Sequence, residues 1–282
     1  MLPVKKIYID TKYKTPDSIN NANFRIQLPS TMLMPDNAVF YVNECCIPHS
    51  WYTVETGVND KFYFHVSDPA FPSVNNNYIV TLDSKNYTGA DLATELQTKM
   101  NNATGQQSNT FTVTYNAAKQ TISIQTSQSS VIFKILTTSD IATKMNGQWV
   151  NPNYDASSPH DITSLLNLAE GESPYYSQNN PFSTHISLQP VRNIYISSPN
   201  LGNFNTLSVN GDSSIIKKVQ VTAAYNQMIF DNLMATNDFL DCSKQTLKTL
   251  EFHIKDVDGN FINFHGNNVS FSIIFDLMNT NS

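Results

Sequence analysis

The sequence predicts a mainly β protein: an antiparallel jelly-roll β-sandwich that carries a small α+β insertion domain. Short segments of alternating apolar and polar residues, which are typical of half-buried strands, occur near both ends of the 282-residue chain. Between them lies a region that follows a proline- and asparagine-rich break and contains a helical pattern. About eight strands flank this region, and eight antiparallel strands in two facing sheets is the number found in a jelly roll.

The N-terminal part combines a basic segment with the first strands. Residues 1–14 contain four lysines and one aspartate, a charge of +3, whereas the whole chain carries −6. We therefore expect residues 1–21 to form a basic arm that contacts nucleic acid or an acidic partner, or that pairs with its own body. Strands are predicted at residues 24–28, 39–46 and 61–66, each bounded by proline or asparagine.

Residues 75–183 are predicted to form the insertion domain. Thr88 and Asp91 have the spacing of a helix N-terminal cap, and Leu92, Leu96 and Met100 follow at four-residue intervals. One amphipathic helix is therefore expected there. Three predicted strands follow, at residues 111–115, 121–125 and 131–136. One short helical candidate lies at residues 162–168.

The strand pattern returns from residue 184, so residues 22–74 and 184–282 are predicted to form one discontinuous jelly-roll domain. Its later strands are expected near residues 186–188, 193–196, 215–221 and 228–230. Residues 250–254 and 269–275 also alternate cleanly and are interpreted as a closing antiparallel hairpin.

The turn of this hairpin has a predicted register. Residues 256–260 supply turn residues, with Gly259 at the position that requires a positive φ. A three-residue loop would place Ile254 opposite Ile262, Phe252 opposite Phe264 and His265 opposite Glu251. The same turn resembles part of an EF-hand, but Gly259 is fourth rather than sixth and position twelve is asparagine, which excludes that calcium loop.

Composition limits the class of protein. Charged residues make up only 14% of the chain, so its surface is suited to hydrogen-bonded packing against neighbours; asparagine-rich codon usage would give the same composition. The three cysteines form neither a disulfide framework nor a paired zinc motif. No signal peptide or membrane-spanning run is present, so we expect a protein made and kept in a reducing, soluble compartment.

No set of residues predicts catalysis, a metal site or a bound cofactor. Cys45 and Cys46 lie close in sequence to His49, but Cys46 is expected to be buried in an apolar strand, where a thiol is inert without a positioned base. Paired carboxylates for glycoside hydrolysis remain open on sequence alone. We predict that the protein is not an enzyme. The chain has six histidines, whose spacing does not match that of metal ligands: His49, His65, His160, His185, His253 and His265.

Two aromatic pairs fall in predicted loops. Trp51-Tyr52 and Tyr175-Tyr176 are candidates for exposed anchors, which either contact a partner subunit or stack on a sugar. The second possibility makes a glycan-binding or host-attachment β-sandwich the alternative function.

Several segments resemble the minor capsid, or penton, proteins of virophages and Polinton-type viruses, and these segments span nearly the entire chain. The matching segments are Lys6-Ile-Tyr-Ile-Asp10, Asn23-Phe-Arg-Ile-Gln-Leu28, Cys46-Ile-Pro-His-Ser-Trp-Tyr52, Tyr87-Thr-Gly-Ala-Asp-Leu-Ala-Thr-Glu-Leu96, Phe111-Thr-Val-Thr-Tyr115, Leu250-Glu-Phe-His-Ile-Lys-Asp256, Asp258-Gly-Asn260 and Val269-Ser-Phe-Ser-Ile-Ile-Phe275.

The resemblance implies a structural capsid protein of the virion. Such a protein is a jelly roll with an insertion domain, forms a homo-pentamer and occupies the fivefold vertices of an icosahedral shell, where it contacts the major capsid protein. The resemblance implies no catalytic residues, cofactor or metal. It also implies assembly inside the host cell, without secretion, and the basic N-terminal arm adds a possible weak contact with the genome.

Overall fold

The computed structural model describes residues 5–68, 75–105, 110–143, 148–149, 160–168, 171, 174–208, 211–232 and 238–277. The chain divides into two compact units, the first formed by Met1–Trp51 and Val191–Ser282 and the second by Tyr52–Pro190. The elements of the first unit are β1 (Lys5–Asp10), a 3₁₀ turn (Thr11–Tyr13), β2 (Asn23–Leu33), β3 (Ala38–Pro48), β11 (Asn193–Ser197), β12 (Thr206–Ser208), β13 (Gly211–Ser213), β14 (Ile215–Gln220), β15 (Met228–Asp231), β16 (Leu240–Asp241), β17 (Thr246–Lys255) and β18 (Ser270–Leu277). Those of the second unit are β4 (Lys61–Ser67), β5 (Asn75–Thr81), α1 (Gly89–Ala103), β6 (Phe111–Asn116), β7 (Thr121–Thr126), β8 (Ile132–Ile135), α2 (Thr138–Thr143), β9 (Gln148–Trp149) and β10 (Phe182–His185).

The first unit is the predicted jelly roll. One antiparallel sheet has the strand order β1-β18-β3-β15, with β16 also pairing β3, and the other has the order β14-β11-β17-β2. Strands β12 and β13 form a separate two-stranded sheet. If these two and β16 are set aside and the remaining eight strands are numbered in chain order, the sheets read 1-8-3-6 and 5-4-7-2. Apart from the fourth and fifth, which share a sheet, successive strands alternate between the two sheets, and each sheet buries its apolar face against the other.

Aromatic packing fills the core between the two sheets. Phe24 and Phe252 come from the four-stranded sheet and Phe271 from the five-stranded sheet, and all three are buried. The ring centroid of Phe252 lies 5.4 Å from that of Phe24 and 5.1 Å from that of Phe271. Because the cluster includes both sheets, it holds the sandwich together.

The structure confirms the turn of the predicted closing hairpin but not the pairing of its two strands. Lys255 bridges Phe261, and the Ile262 amide donates to the Ile254 carbonyl, in the predicted register. Gly259 has a φ of +88° as expected. However, β17 pairs with β2 and β11, whereas β18 pairs with β1 and β3 in the other sheet. Both strands have one buried face, so alternation alone could not tell that they belong to different sheets.

Six residues of the predicted N-terminal arm form a strand. Residues 5–10 form β1, which pairs with β18 along its whole length. Ile9 is buried and Ile7 half-buried against the core, while Lys6 and Tyr8 alternate with them on the other face. This period of two places the segment in the jelly roll as its first strand.

The second unit contains two small sheets and a helix. One sheet has the order β8-β4-β5-β9 and the other the order β10-β7-β6. Helix α1 begins at the predicted cap: the Asp91 amide donates to the Thr88 hydroxyl, and the Thr88 amide donates to the Asp91 carboxylate. The expected face of Leu92, Leu96 and Met100 is fully buried.

The boundaries between the units differ from those expected from the sequence. The strand predicted at residues 61–66 is expected in the jelly roll, but β4 pairs with β5 and β8, and the second unit begins at Tyr52 rather than at residue 75. At the other end, β10 pairs with β7, which places residues 184–190 in the second unit. The helical candidate at 162–168 is a series of turns. Residues 150–159, 169, 170, 172 and 173, which flank this candidate, are not among the residues that the structure describes.

Candidate assembly surface

The outer face of the five-stranded sheet carries exposed aromatic side chains. Strand register aligns Asp10, Ser270, Cys46 and Phe230 in one row across four strands. Tyr8, in the neighbouring outward-facing row, and Phe230 are each 73% exposed. Together with parts of β3 and β18 they line a shallow cleft of about 500 Å³. An open aromatic surface of this kind is suited to contact with another protein chain.

An ion pair borders the cleft on the β1 side. Lys6 Nζ lies 2.9 Å from Glu44 Oε1, and the Ser272 hydroxyl donates to the same carboxylate at 3.0 Å. The Glu44 carboxylate raises the pKa of Lys6, and the Lys6 ammonium lowers the pKa of Glu44. The Lys6 ammonium also lies 4.8 Å from the Tyr8 ring centroid. These contacts fix the position of one charge of each sign beside Tyr8.

The opposite edge of the same sheet is acidic. Asp231 ends β15 and forms a partly buried ion pair with Lys217, with Nζ and Oδ1 3.5 Å apart. Asp241 ends β16 and is exposed, and its carboxylate accepts hydrogen bonds from the Ser243 amide and hydroxyl. Asp238 is also exposed.

The prediction that Cys46 is buried is wrong. Cys46 is half-buried on the outer face, and its neighbour Cys45 is the buried residue. Burial raises the pKa of the Cys45 thiol and of the Cys242 thiol to about 12 each. His49 is not their base: its ring stacks on Trp51 with centroids 4.2 Å apart, and its Nδ1 contacts the Ala223 carbonyl.

The two candidate aromatic pairs have different environments. Trp51 is only 4% exposed, so the prediction that it is an exposed anchor is wrong. It packs between His49 and the edge of Phe264, which makes it a core residue. In the second unit Tyr175 is half exposed, while Tyr176 packs against Phe133 and Phe182.

The predicted pair of Glu251 and His265 does not form. Glu251 lies opposite Arg25 on β2 and accepts a hydrogen bond from its Nε at 2.8 Å, which lowers the pKa of the Glu251 carboxyl. His265 instead contacts the Ser50 carbonyl through Nδ1. His253 Nε2 lies 3.2 Å from Glu251 Oε1. Arg25 and His253 therefore form a surface network with Glu251 on the four-stranded sheet.

In the part of the chain that the structure describes, no group of three or more histidine, cysteine, aspartate or glutamate side chains is placed to hold a metal ion. Also within the described residues, no helix is both long and apolar enough to cross a membrane.

Tyr8 and Phe230 were missed as surface residues by the sequence analysis. Each lies next to a buried isoleucine, Ile9 for Tyr8 and Ile229 for Phe230. In β15 the outward residue Met228 is apolar as well, and this continuous apolar run was the available signal, because an ordinary edge strand alternates with polar residues. In β1 the outward neighbours of Tyr8 are Lys6 and Asp10, so the alternation gives no such signal for Tyr8.

Comparison with known proteins identifies a structural neighbour. No family model and no curated protein matches the sequence. A solved structure, the crystal structure of the selenomethionine-labelled mavirus penton protein, superposes with a TM-score of 0.54 at 12% sequence identity. The alignment covers 98% of this chain and 100% of the mavirus chain. The two proteins share a fold. Full coverage of both chains means that the likeness includes the insertion as well as the jelly roll.

Proposed function

We propose that this chain is a penton-type structural capsid protein. In this role it forms pentamers that occupy the fivefold vertices of an icosahedral shell and contact the major capsid protein. The observation that carries the proposal is the likeness to the mavirus penton protein over 98% of this chain and all of that one. The resemblance of several segments to penton proteins of virophages and Polinton-type viruses supports a virus of that class, and the protein would act in the virion after assembly inside the host cell.

The jelly roll is physically suited to such a ring. Five copies related by rotation contact one another through two different surfaces of each subunit, so each subunit must present usable faces on opposite sides. The outer face of the five-stranded sheet offers exposed aromatic residues, and the chain as a whole has few charges that would have to be desolvated. The proposed role requires no catalytic group.

The oligomeric state of the purified protein tests the proposal. Light scattering coupled to size-exclusion chromatography should give about 158 kDa, which is five times the 31.6-kDa chain. A second assay mixes the protein with the major capsid protein of the same virus, and we expect co-elution. A chain that is monomeric, dimeric or trimeric at all concentrations, including in the presence of the major capsid protein, contradicts the proposal.

The alternative, a glycan-binding attachment protein, has lost its main support. It depended on exposed aromatic pairs, and Trp51 is buried in the jelly-roll core. A glycan array with the purified protein distinguishes the two functions, since a penton that acts only by assembly binds no sugar.

A further inference from the structure

Two short segments of the first unit carry opposite charges. Residues 1–14 contain four lysines and one aspartate, for +3, and residues 228–241 contain three aspartates and no basic residue, for −3. Neighbouring charges include Glu44, which pairs with Lys6, and Lys217, which pairs with Asp231. Lys244 pairs with Asp36 beside β16, and Asp276 lies on β18 between the two segments. With these neighbours included, the first region is basic and the second acidic.

The fold places the described parts of the two segments, residues 5–14 and residues 228–232 with 238–241, at opposite edges of one sheet. β1 is the first strand in the order β1-β18-β3-β15, and β15 and β16 both pair with β3 at the other side. In the described part of the chain, β1 pairs only with β18 and β15 only with β3. Adjacent strands in a sheet are about 4.8 Å apart, so the two edges are separated by the width of the sheet.

Each edge also carries exposed apolar surface. Tyr8 and Tyr13 are both 73% exposed on the basic side, and Phe230 is 73% and Met228 40% exposed on the acidic side. Tyr8 and Phe230 also line the two ends of the cleft on the outer face, so the exposed apolar surface continues from one edge to the other. Interfaces between protein chains are commonly centred on such aromatic residues, with charges at the rim that fix orientation. The two edges are therefore complementary both in charge and in chemical character.

We propose that these edges form the contact between neighbouring copies of this chain: the basic β1 edge of one copy docks on the acidic β15–β16 edge of the next. This inference rests on the proposed function, because a closed ring requires two different, mutually complementary surfaces on each subunit. The two edges lie at opposite sides of one sheet, which fits the need for two different contact surfaces on each subunit. The opposite charges exclude the wrong pairings, since two β1 edges or two β15–β16 edges repel each other.

The test reverses the charge of each edge separately and then together. The basic-edge variant is Lys5→Glu with Lys12→Glu, and the acidic-edge variant is Asp238→Lys with Asp241→Lys. All four side chains are exposed. The matched control, Lys218→Glu with Lys248→Glu, changes two exposed lysines on the four-stranded sheet. Mass is measured by light scattering, and thermal unfolding of each variant checks its fold.

Either single-edge variant should weaken subunit association by about tenfold or more, because like charges then face each other. The variant with both edges reversed should recover the pentamer, and the control should remain pentameric. Recovery by the doubly reversed chain also shows that the individual substitutions are compatible with folding. An equimolar mixture of the two single-edge variants should associate in alternation, which cannot close a ring of five.

Salt supplies a measurement that needs no variant. Charges at an interface rim are screened over about 8 Å at physiological ionic strength, so association of the wild-type chain should weaken as salt is raised.

Three results overturn the inference. Single-edge variants that stay pentameric and folded would place the ring contact elsewhere while leaving the proposed function intact. A basic-edge variant that stays pentameric but loses binding to DNA or to the major capsid protein would assign β1 to that partner. A wild-type chain that forms no pentamer refutes the proposed function, and the inference with it.

Discussion

The packing of Phe252 provides a quantitative prediction for the jelly-roll core. Its ring is fully buried and touches Phe24 from its own sheet and Phe271 from the facing one. Phe252→Ala removes the whole ring from a site whose walls are fixed by strands on both sides, so little collapse can fill the cavity. A buried Phe→Ala change typically costs about 3–5 kcal/mol, and we expect a value in that range. The loss is large beside a typical total stability of about 5–15 kcal/mol.

Phe230→Ala is the matched control. It deletes the same atoms from a side chain that is 73% exposed, and the expected change in unfolding free energy is within about 0.5 kcal/mol. Both variants are compared as dissociated subunits, because association itself would add to the apparent stability.

Urea unfolding measures the difference. The chain has two tryptophans, so a Trp149→Phe background leaves Trp51, which lies buried in the first unit, as the fluorescent reporter of that unit. Phe252→Ala should lower the midpoint without changing the slope of free energy against urea. A cost below about 1 kcal/mol, or an equal cost for Phe230→Ala, would refute the assignment of the inner and outer faces of the sandwich.

Three further predictions concern the helix cap, the turn after β17 and the thiols. Hydrogen bonds from the Thr88 hydroxyl and amide lower the pKa of the Asp91 carboxyl in the folded chain. The stabilisation by ionised Asp91 is therefore fully present above the pKa that Asp91 has in the unfolded chain, and it is lost as pH falls through the lower pKa of the folded chain. Asp91→Asn should flatten the acid side of the plot of melting temperature against pH, and an unchanged plot contradicts this. Gly259→Ala should cost about 1–2 kcal/mol, measured by urea unfolding, because φ is +88° there, and a neutral effect would mean that the turn adopts another conformation. A thiol reagent at pH 8 should label Cys46 well before Cys45, because burial raises the pKa of the Cys45 thiol to about 12. Labelling is measured by mass spectrometry, and equal labelling of the two thiols would mean that the inner and outer faces of β3 are assigned the wrong way round.

The sequence predicted local structure where the responsible residues are close together along the chain. The cap of α1 requires only Thr88 and Asp91, three positions apart, and the buried stripe requires only the next two turns of helix. The turn at residues 256–260 depends on Asp256, whose carboxylate accepts from the Asp258 and Asn260 amides, and on the positive φ of Gly259. Each of these features is decided by bonds within a few residues.

The partners of strands could not be predicted in the same way. β17 and β18 both alternate and follow each other in sequence, but they lie in different sheets, because most successive strands of a jelly roll belong to opposite sheets. Residues 61–67 look like a jelly-roll strand and pair instead with β5. Burial of Trp51 depends on His49 and Phe264, and Phe264 is more than two hundred residues away. Such contacts follow from the arrangement of the whole unit, which alternation does not specify.

The candidate assembly surface was predictable only in part. The lysines of residues 1–14 were visible as a basic segment, but their placement in an edge strand, opposite the aspartates of residues 228–241, required the sheet order. Sequence separation of more than two hundred residues concealed the fact that the two segments belong to one sheet.

Electron microscopy of purified virions tests the central claim most directly. Averaging with icosahedral symmetry should show, at each fivefold vertex, five copies of a two-sheet jelly roll with the strand orders described here and one insertion domain per copy. Vertices built from another protein, with this chain absent from them, would contradict the assignment as a penton-type capsid protein.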